Sequence, residues 1–233
     1  MRGLFVTGTD TDVGKTYVST MILRELVAAG VRVGISKPAC SGAVSDGDNF
    51  RWPDLDELAA AAGITNVDWI CSQRFRAPLA PPVAARLERR PIRFRTMQDE
   101  LQAWSTRAEI VIVEGVGGLL CPLTDDHSVA DFASWTGFPL IVVARLGLGT
   151  INHTLLTIEA ARHRHLEIAG VIVNDADNLC DSPAGQTNMS ELAARTDIPV
   201  LGMVAFGSQT ACLRDRETPA RIDWSKLAAG RNV

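Results

Sequence analysis

Short runs of consecutive apolar residues alternate along the chain with longer stretches in which apolar positions recur every three or four residues. The runs are Leu4 to Thr7, Val31 to Ser36, Ile110 to Val113, Leu140 to Ala144, Val171 to Asn174 and Val200 to Val204. Apolar side chains at successive positions, as in Ile110-Val111-Ile112-Val113, predict strands buried on both faces, since a half-exposed sheet alternates apolar with polar. Helical periodicity covers Lys15 to Ala29, Leu55 to Ala62, Met97 to Arg107, Ile151 to His163 and Met189 to Arg195. Strand and helix in turn predict a mostly parallel sheet with helices on both faces. No repeat or long linker divides the chain, so residues 1–233 read as one α/β domain.

Composition narrows the class. With 46% hydrophobic and 21% charged residues in 233, the chain is neither disordered nor a disulfide-stapled miniprotein. A chain of this length buries roughly 70% or more of its unfolded surface without staples. The net charge of −4 argues against nucleic acid as a partner. Cys40, Cys71, Cys121, Cys180 and Cys212 form no Cys-x-x-Cys pair and are odd in number, which predicts reduced thiols and a cytoplasmic protein. The apolar start Leu4-Phe5-Val6 is too short for a signal peptide, and no run approaches the roughly 18 apolar residues of a membrane helix. No membrane partner is expected.

One segment stands apart. Arg74 to Arg95 holds seven arginines together with Pro78, Pro81, Pro82 and Pro91. A solvated loop followed by a basic helix face is the plainer expectation, and an anion or subunit contact the sharper one. Nucleic acid is the minor expectation there, since the segment's aromatic residues are just Phe75 and Phe94.

The chemistry begins at Gly8-Thr9-Asp10-Thr11-Asp12-Val13-Gly14-Lys15-Thr16, between the first strand and the first amphipathic helix. Backbone N–H groups and a helix N-terminus in that order wrap a phosphate chain. Lys15 then reaches the β- and γ-phosphates, the Thr16 hydroxyl ligates Mg²⁺, and Gly14 lets the backbone approach. The strict eight-residue pattern has glycine at position 9; here it is Thr9, with Gly8 one step earlier. The fold this predicts is the P-loop NTPase fold; the plain alternative is a chance Gly-Lys-Thr at a helix start. Asp10 and Asp12 are out of place in a loop built for anions, so they face a metal ion, a cationic amine or solvent. His127, His153, His163 and His165 lack metal-ligand spacing, and nothing marks a covalent nucleophile.

With the loop in place, the chain resembles the dethiobiotin synthetases. The resemblance rests on Gly-Thr-Asp-Thr-Asp-Val-Gly-Lys-Thr at 8–16, Lys-Pro-Ala-Cys-Ser-Gly at 37–42, Val-Glu-Gly-Val-Gly-Gly at 113–118, Gly-Leu-Gly-Thr-Ile-Asn-His at 147–153 and Val-Asn-Asp at 173–175, in the family's order over most of the chain. It implies an ATP- and Mg²⁺-dependent ring closure of 7,8-diaminononanoate with CO₂ to dethiobiotin, ADP and phosphate. A substrate amine takes up CO₂ as a carbamate, ATP phosphorylates it, and the neighbouring amine displaces phosphate. Both reacting groups are anionic, so cations must sit between them.

The resemblance also assigns residues. Lys37 and Lys15 are implied as catalytic, with Lys37 on the carbamate and the transferring phosphoryl group; without the family it is an exposed lysine at a strand end. Thr11 and Ser41 are implied substrate contacts. Nucleotide contacts fall on Asp12, Val13, Gly14, Lys15, Thr16 and Tyr17, on Asp54, on Glu114, Gly115, Val116 and Gly117, and on Asn174 and Asp175.

Glu114 follows a buried strand, where an acid needs a cation: Mg²⁺, or a salt-bridge partner. Thr16, Asp54 and Glu114 are the implied Mg²⁺ ligands, hard oxygens suited to an octahedral ion. Asp56 competes with Asp54, which is favoured because it leaves Leu58 one turn on at an apolar position. Asn174 offers an amide to the adenine edge, although a plain turn also explains Asn-Asp.

The loop near Ala205 lacks the proline common at the family's base-binding segment. In this family a homodimer completes the site, with the stretch Gly149, Thr150, Ile151, Asn152 gripping the substrate carboxylate of the other subunit; Asn188 and Met189 match a second region reaching across. Two alternatives remain. One is a nucleotide-switch ATPase of the chromosome-partition and septum-placement type, which carries a signature lysine where this loop has Asp10. The other is a cobyrinate-type amide ligase, whose glutaminase domain has no counterpart in 233 residues.

Overall fold

The computed structural model describes residues 1–47, 49–208 and 222–230. Its main sheet has six parallel strands: β1 (Arg2–Gly8), β2 (Val33–Ser36), β5 (Ile110–Gly118), β6 (Leu140–Arg145), β7 (Ile168–Asn174) and β8 (Val200–Val204), in the order β2-β5-β1-β6-β7-β8. β3 (Val44–Asp46) and β4 (Asn49–Arg51) form a separate antiparallel hairpin. The helices are α1 (Lys15–Ala28), α2 (Pro53–Ala62), α3 (Pro81–Leu87), α4 (Phe94–Gln102), α5 (Val129–Thr136), α6 (Thr150–His163), α7 (Pro183–Ala193) and α8 (Trp224–Leu227).

The strands are apolar at every position because each side chain has a helical layer to meet. Phe5, Val111, Val113, Val142 and Val173 point to a core completed by Met97 and Leu101 of α4, Phe132 of α5, Ile158 of α6 and Leu192 of α7. Their neighbours Leu4, Val6, Ile112, Val143 and Ile172 point to a second core with Val18 and Ile22 of α1, Leu58 of α2 and Trp224 of α8. The period of two along a strand thus assigns alternate residues to opposite layers. Helices on both faces of a parallel sheet are as expected from the sequence.

The order of strands positions the site. β1 lies between β5 and β6, so the chain leaves β1 for one side of the sheet and later for the other. Ligands of open α/β sheets bind at such a reversal, outside the carboxyl ends of the strands.

Several boundaries differ from the sequence pattern. β5 runs on to Gly118, so Glu114 lies inside the strand, opposite Val6, rather than after it. Three glycines among its last residues, Gly115, Gly117 and Gly118, hide the strand from propensity, yet Gly118 still pairs with Gly8 of β1. α7 begins at Pro183, six residues before the periodicity at Met189, because Ser182 caps it by accepting from the Gly185 N–H. α4 spans Phe94–Gln102 instead of starting at Met97 and ending at Arg107.

In the arginine-rich segment, α3 and α4 take up much of what read as loop. Many of its cations are engaged within the chain: Arg74 with Asp68, Arg86 with Asp125 and Arg95 with Asp99, while Arg76 lies over Phe50 and Arg90 over Phe75. Cys40, Cys71 and Cys121 are free thiols, and Cys212 lies outside the described residues. No helix among the described residues is long and apolar enough to cross a membrane.

Candidate active site

The loop joining β1 to α1 turns tightly. Asp12 and Gly14 both have positive φ, 56° and 92°. Its base is tied to the sheet where Thr9 N donates to the Val143 carbonyl at 2.9 Å, and the Asp10 carboxylate accepts from the Thr11 N–H at 2.7 Å. Asp10 and Asp12 are both exposed, and Asp12 faces the cavity. Gly14 is the one residue that fits its place: a Cβ there would stand 2.0 Å from Asn174 Nδ2.

A cavity of about 750 Å³ opens in front of this loop. One side is formed by Thr11, Asp12, Gly14, Lys15 and Thr16; Lys37, Ser41 and Asp54 face it from beyond β2, and Gly115, Val116 and Gly117 come from the end of β5. These were sequence expectations. The opposite wall was not: it consists of Trp52, Pro78, Leu79 and Ala80, with the thiols of Cys40 and Cys121. That wall exists because residues 40–43 run beside 74–77, with Phe75 N donating to the Cys40 carbonyl and Ala43 N to that of Arg76. Trp52 Nε1 donates to the Phe75 carbonyl, and the Arg74 guanidinium lies over its ring. The clustered prolines at 78, 81 and 82 were the visible signal, without a partner to attach them to.

At the back of the cavity is a buried charge cluster. Lys37 Nζ donates to Glu114 Oε1 at 2.7 Å and also to Asp54 Oδ2. Thr16 Oγ1 donates to the same Glu114 oxygen at 2.8 Å. Glu114 is fully buried, and its other oxygen, Oε2, has no partner among the described residues. Burial by itself would lower the pKa of Lys37, but Glu114 first, then Cys40 and Asp54, outweigh it and hold the ammonium well above its ordinary value. For Lys15 burial dominates, the opposing pull of Glu114 is weaker, and the pKa falls below the usual lysine value. Burial also pushes the Cys40 thiol up to about 12, which makes it an inert lining group. Lys15 Nζ donates to the Asp10 carbonyl at 3.0 Å.

Only three of the chain's 23 basic residues other than histidine are lysines, and two of them are in this cluster. The compact ammonium suits a carboxylate cleft that a planar guanidinium would not enter. Asp54 enters the cluster and Asp56 does not, the latter pairing with Arg51 at 3.4 Å. Among the described residues no group of three or more His, Cys, Asp and Glu side chains converges into a metal cage. Thr16, Asp54 and Glu114 instead offer a partial set of hard oxygens with one buried oxygen to spare. That arrangement fits Mg²⁺, which takes one or two carboxylates and completes its shell with phosphate and water.

Other expected residues lie off the cavity. Val13 is a core residue. Tyr17 donates its hydroxyl to the Ser208 carbonyl, joining α1 to the loop after β8. Asn174 is buried and its amide donates to the Val13 carbonyl at 3.1 Å. The Asp175 carboxylate accepts the backbone N–H groups of Leu179 and Cys180, at 2.7 and 3.0 Å. Gly149, Thr150, Ile151 and Asn152 open α6 but do not line this chain's cavity. Leu148 beside them is fully exposed, and Asn188 of α7 fixes that loop by donating to the Gly147 carbonyl.

A protein-family model described as an AAA domain matches residues 2–211. The chain is 45% identical over 229 residues to a protein of Anaeromyxobacter sp. (strain Fw109-5) named ATP-dependent dethiobiotin synthetase BioD, covering 98% of each chain. It is 37% identical to the protein of that name from Anoxybacillus flavithermus, covering 88% of this chain and 91% of that one. Among solved structures it is similar to the septum site-determining protein MinD of Pyrococcus horikoshii complexed with Mg-ADP, with a TM-score of 0.56 and 15% identity, covering 88% of this chain and 81% of that one. A likeness at that identity speaks for the shared fold alone.

Proposed function

Because the chain belongs to the ATP-dependent dethiobiotin synthetase family, and so is an ATP-dependent ligase that forms C–N bonds in dethiobiotin synthesis, we propose how its own residues carry that reaction. The observation that carries the proposal is the cluster at the mouth of the phosphate loop, where one buried ammonium, Lys37, meets Asp54 and Glu114 while Thr16 shares the Glu114 oxygen. ATP lays its phosphates on the loop from Asp12 to Tyr17, with Lys15 turned from the Asp10 carbonyl toward the β- and γ-phosphates. Thr16, Asp54 and Glu114 hold Mg²⁺, which neutralises charge on the phosphate oxygens when bound.

The diamine enters beside Thr11 and Ser41, and one amine takes up CO₂, or its hydrated form bicarbonate, as a carbamate. The carbamate oxygen attacks the γ-phosphorus, the bond to ADP breaks, and a carbamic-phosphoric anhydride forms. Lys37 holds the two anions together, and Lys15 steadies the leaving phosphate. The second amine then attacks the carbonyl carbon, expels phosphate and closes the ring. Gly115, Val116 and Gly117 bring their backbone close to the reacting groups.

Asn174 and Asp175 serve the nucleotide mainly by bracing the loop and the segment under the base. Residues 1–233 form one such ligase domain, working in the cytoplasm as a homodimer. Gly149, Thr150, Ile151 and Asn152 reach the carboxylate of the diaminononanoate held by the partner. Their position off this chain's own cavity supports that arrangement, as does a helix N-terminus suited to an anion. Phosphate release from MgATP should rise with added diamine and bicarbonate, and Lys37→Ala should lose that coupling by about two orders of magnitude while still binding nucleotide. Hydrolysis indifferent to the diamine would favour a nucleotide switch instead.

A further inference from the structure

We infer that Lys37 is the built-in counter-cation of the metal position: in the free protein its ammonium fills the gap between Asp54 and Glu114, and it leaves that gap when Mg²⁺ enters with the nucleotide. The inference rests on the assignment of Thr16, Asp54 and Glu114 to the metal. The oxygens concerned are the same ones. Glu114 Oε1 receives Lys37 Nζ at 2.7 Å and Thr16 Oγ1 at 2.8 Å, and Asp54 Oδ2 receives Lys37 as well. A divalent ion bound there at roughly 2.0–2.1 Å from its oxygens would face the ammonium across a common carboxylate, and the two cations repel.

Burial makes the exchange necessary in both directions. Glu114 is fully buried and Lys37 is 3% exposed, so neither has bulk water to replace a lost partner. Without an ammonium the carboxylate would be a bare charge in the core. With both cations present the cluster would be overcharged. Swapping one for the other sets the metal's two positive charges against the two carboxylates that shared a single ammonium.

The unpartnered Glu114 Oε2 shows that the resting arrangement leaves acceptor capacity unused, which an ion with more coordination sites can take up. Lys15 is parked in the same manner at the other end of the loop, on the Asp10 carbonyl. Both lysines therefore line the cavity with their ammonium groups held on protein oxygens. A released Lys37, on its four-carbon stem at the end of β2, is delivered toward the anions that arrive with the metal. Metal entry and lysine delivery become one event.

The test uses Mn²⁺ alone, without nucleotide, followed by electron paramagnetic resonance. Lys37→Gln should bind Mn²⁺ at least tenfold more tightly than the native protein, because the resident charge is gone and a neutral amide remains. An affinity unchanged within twofold would overturn the inference. A separate arm keeps the two ideas apart: if Glu114→Gln leaves the binding of Mn²⁺ with ADP unaltered, the metal assignment itself fails and the inference with it. If Glu114→Gln weakens that binding but Lys37→Gln changes nothing, only the counter-cation role is lost.

Should Lys37→Gln not fold, native protein labelled with ¹³C,¹⁵N-lysine decides the matter, since its three lysines give a sparse spectrum. The Lys37 side-chain signal should move on adding Mg²⁺ with ADP and stay in place with ADP and a chelator. Equal movement in both would refute the exchange.

Discussion

Asn174 and Gly14 fit each other as a side chain fits a socket: the amide nitrogen stands 2.0 Å from where a Cβ on Gly14 would be, while donating to the adjacent Val13 carbonyl at 3.1 Å. The end of β7 thereby braces the phosphate loop from behind. Gly14→Ala should fail on two counts, the collision and a φ of 92° that costs an L-residue about 1–3 kcal/mol. We expect ADP affinity, measured by calorimetry, to fall by about tenfold or more. An alanine variant with native affinity would mean that the loop relaxes freely and that the brace is idle.

The two acids at the start of α2 should part company. Asp54 touches Lys37, whereas Asp56 pairs with the exposed Arg51. Asp54→Asn is expected to lower diamine-dependent phosphate release by about a hundredfold, the scale of losing a charge aimed at the reacting centre. Asp56→Asn should stay within about twofold, as surface ion pairs contribute little. Equal losses in the steady-state assay would contradict this division.

A third expectation concerns assembly. Leu156 on α6 is 60% exposed, and Leu148 just before the helix is fully exposed. Leu156→Asp places a charge on that face. In sedimentation velocity the variant should move as a monomer; ADP binding should persist, and turnover of the diamine should disappear. Retention of full turnover by a monomeric variant would rule out a site completed by two chains.

The fourth is a matter of stability and pH. At α5, Ser128 and Asp131 cap each other: Asp131 Oδ2 accepts from Ser128 N at 2.7 Å, and Ser128 Oγ accepts in turn from Asp131 N. Partial burial works to raise the Asp131 pKa, but the Ser128 donors and Arg164 prevail and hold it below the usual aspartate range. A carboxylate with a depressed folded pKa stabilises above its unfolded value of about 4 and loses that contribution as pH falls through the folded value. Asp131→Ala should cost about 1 kcal/mol near neutrality, or about 2–4 °C in Tm. The difference between the two melting curves should shrink as the pH is lowered below about 4. A constant gap down to strong acid would show that the charge is irrelevant.

What the sequence made legible follows from where the information lies. The strands of the sheet were visible because burial on both sides writes an unbroken apolar run, and the phosphate loop because its chemistry is local. α5 escaped notice: it is short, and its apolar residues Val129, Ala130, Phe132 and Ala133 leave little periodic contrast, although Ser128 and Asp131 stand at capping-box spacing. The β3–β4 hairpin escaped because its strand residues are exposed and carry no core pattern.

In the site, Lys37 and Glu114 were individually suspect, but their direct contact joins β2 to β5 across 77 positions of chain. Periodicity carries no information about such a pairing. The cavity's far wall was invisible for the same reason, as Trp52 and Leu79 meet the site only through the pairing of 40–43 with 74–77. For Asn174, which the sequence offers to the adenine edge, the geometry assigns the amide nitrogen to the Val13 carbonyl.

The position of β1 between β5 and β6 has a consequence for biosynthesis. Among the described residues, β1 and β2 pair within the main sheet only with strands that begin at Ile110 or later. As the polypeptide leaves the ribosome, β1 therefore waits, apolar and unzipped, until the residues from Ile110 onward have been translated. Chaperone-assisted shielding of the nascent N-terminal half should matter more here than in a protein whose first strands form a hairpin.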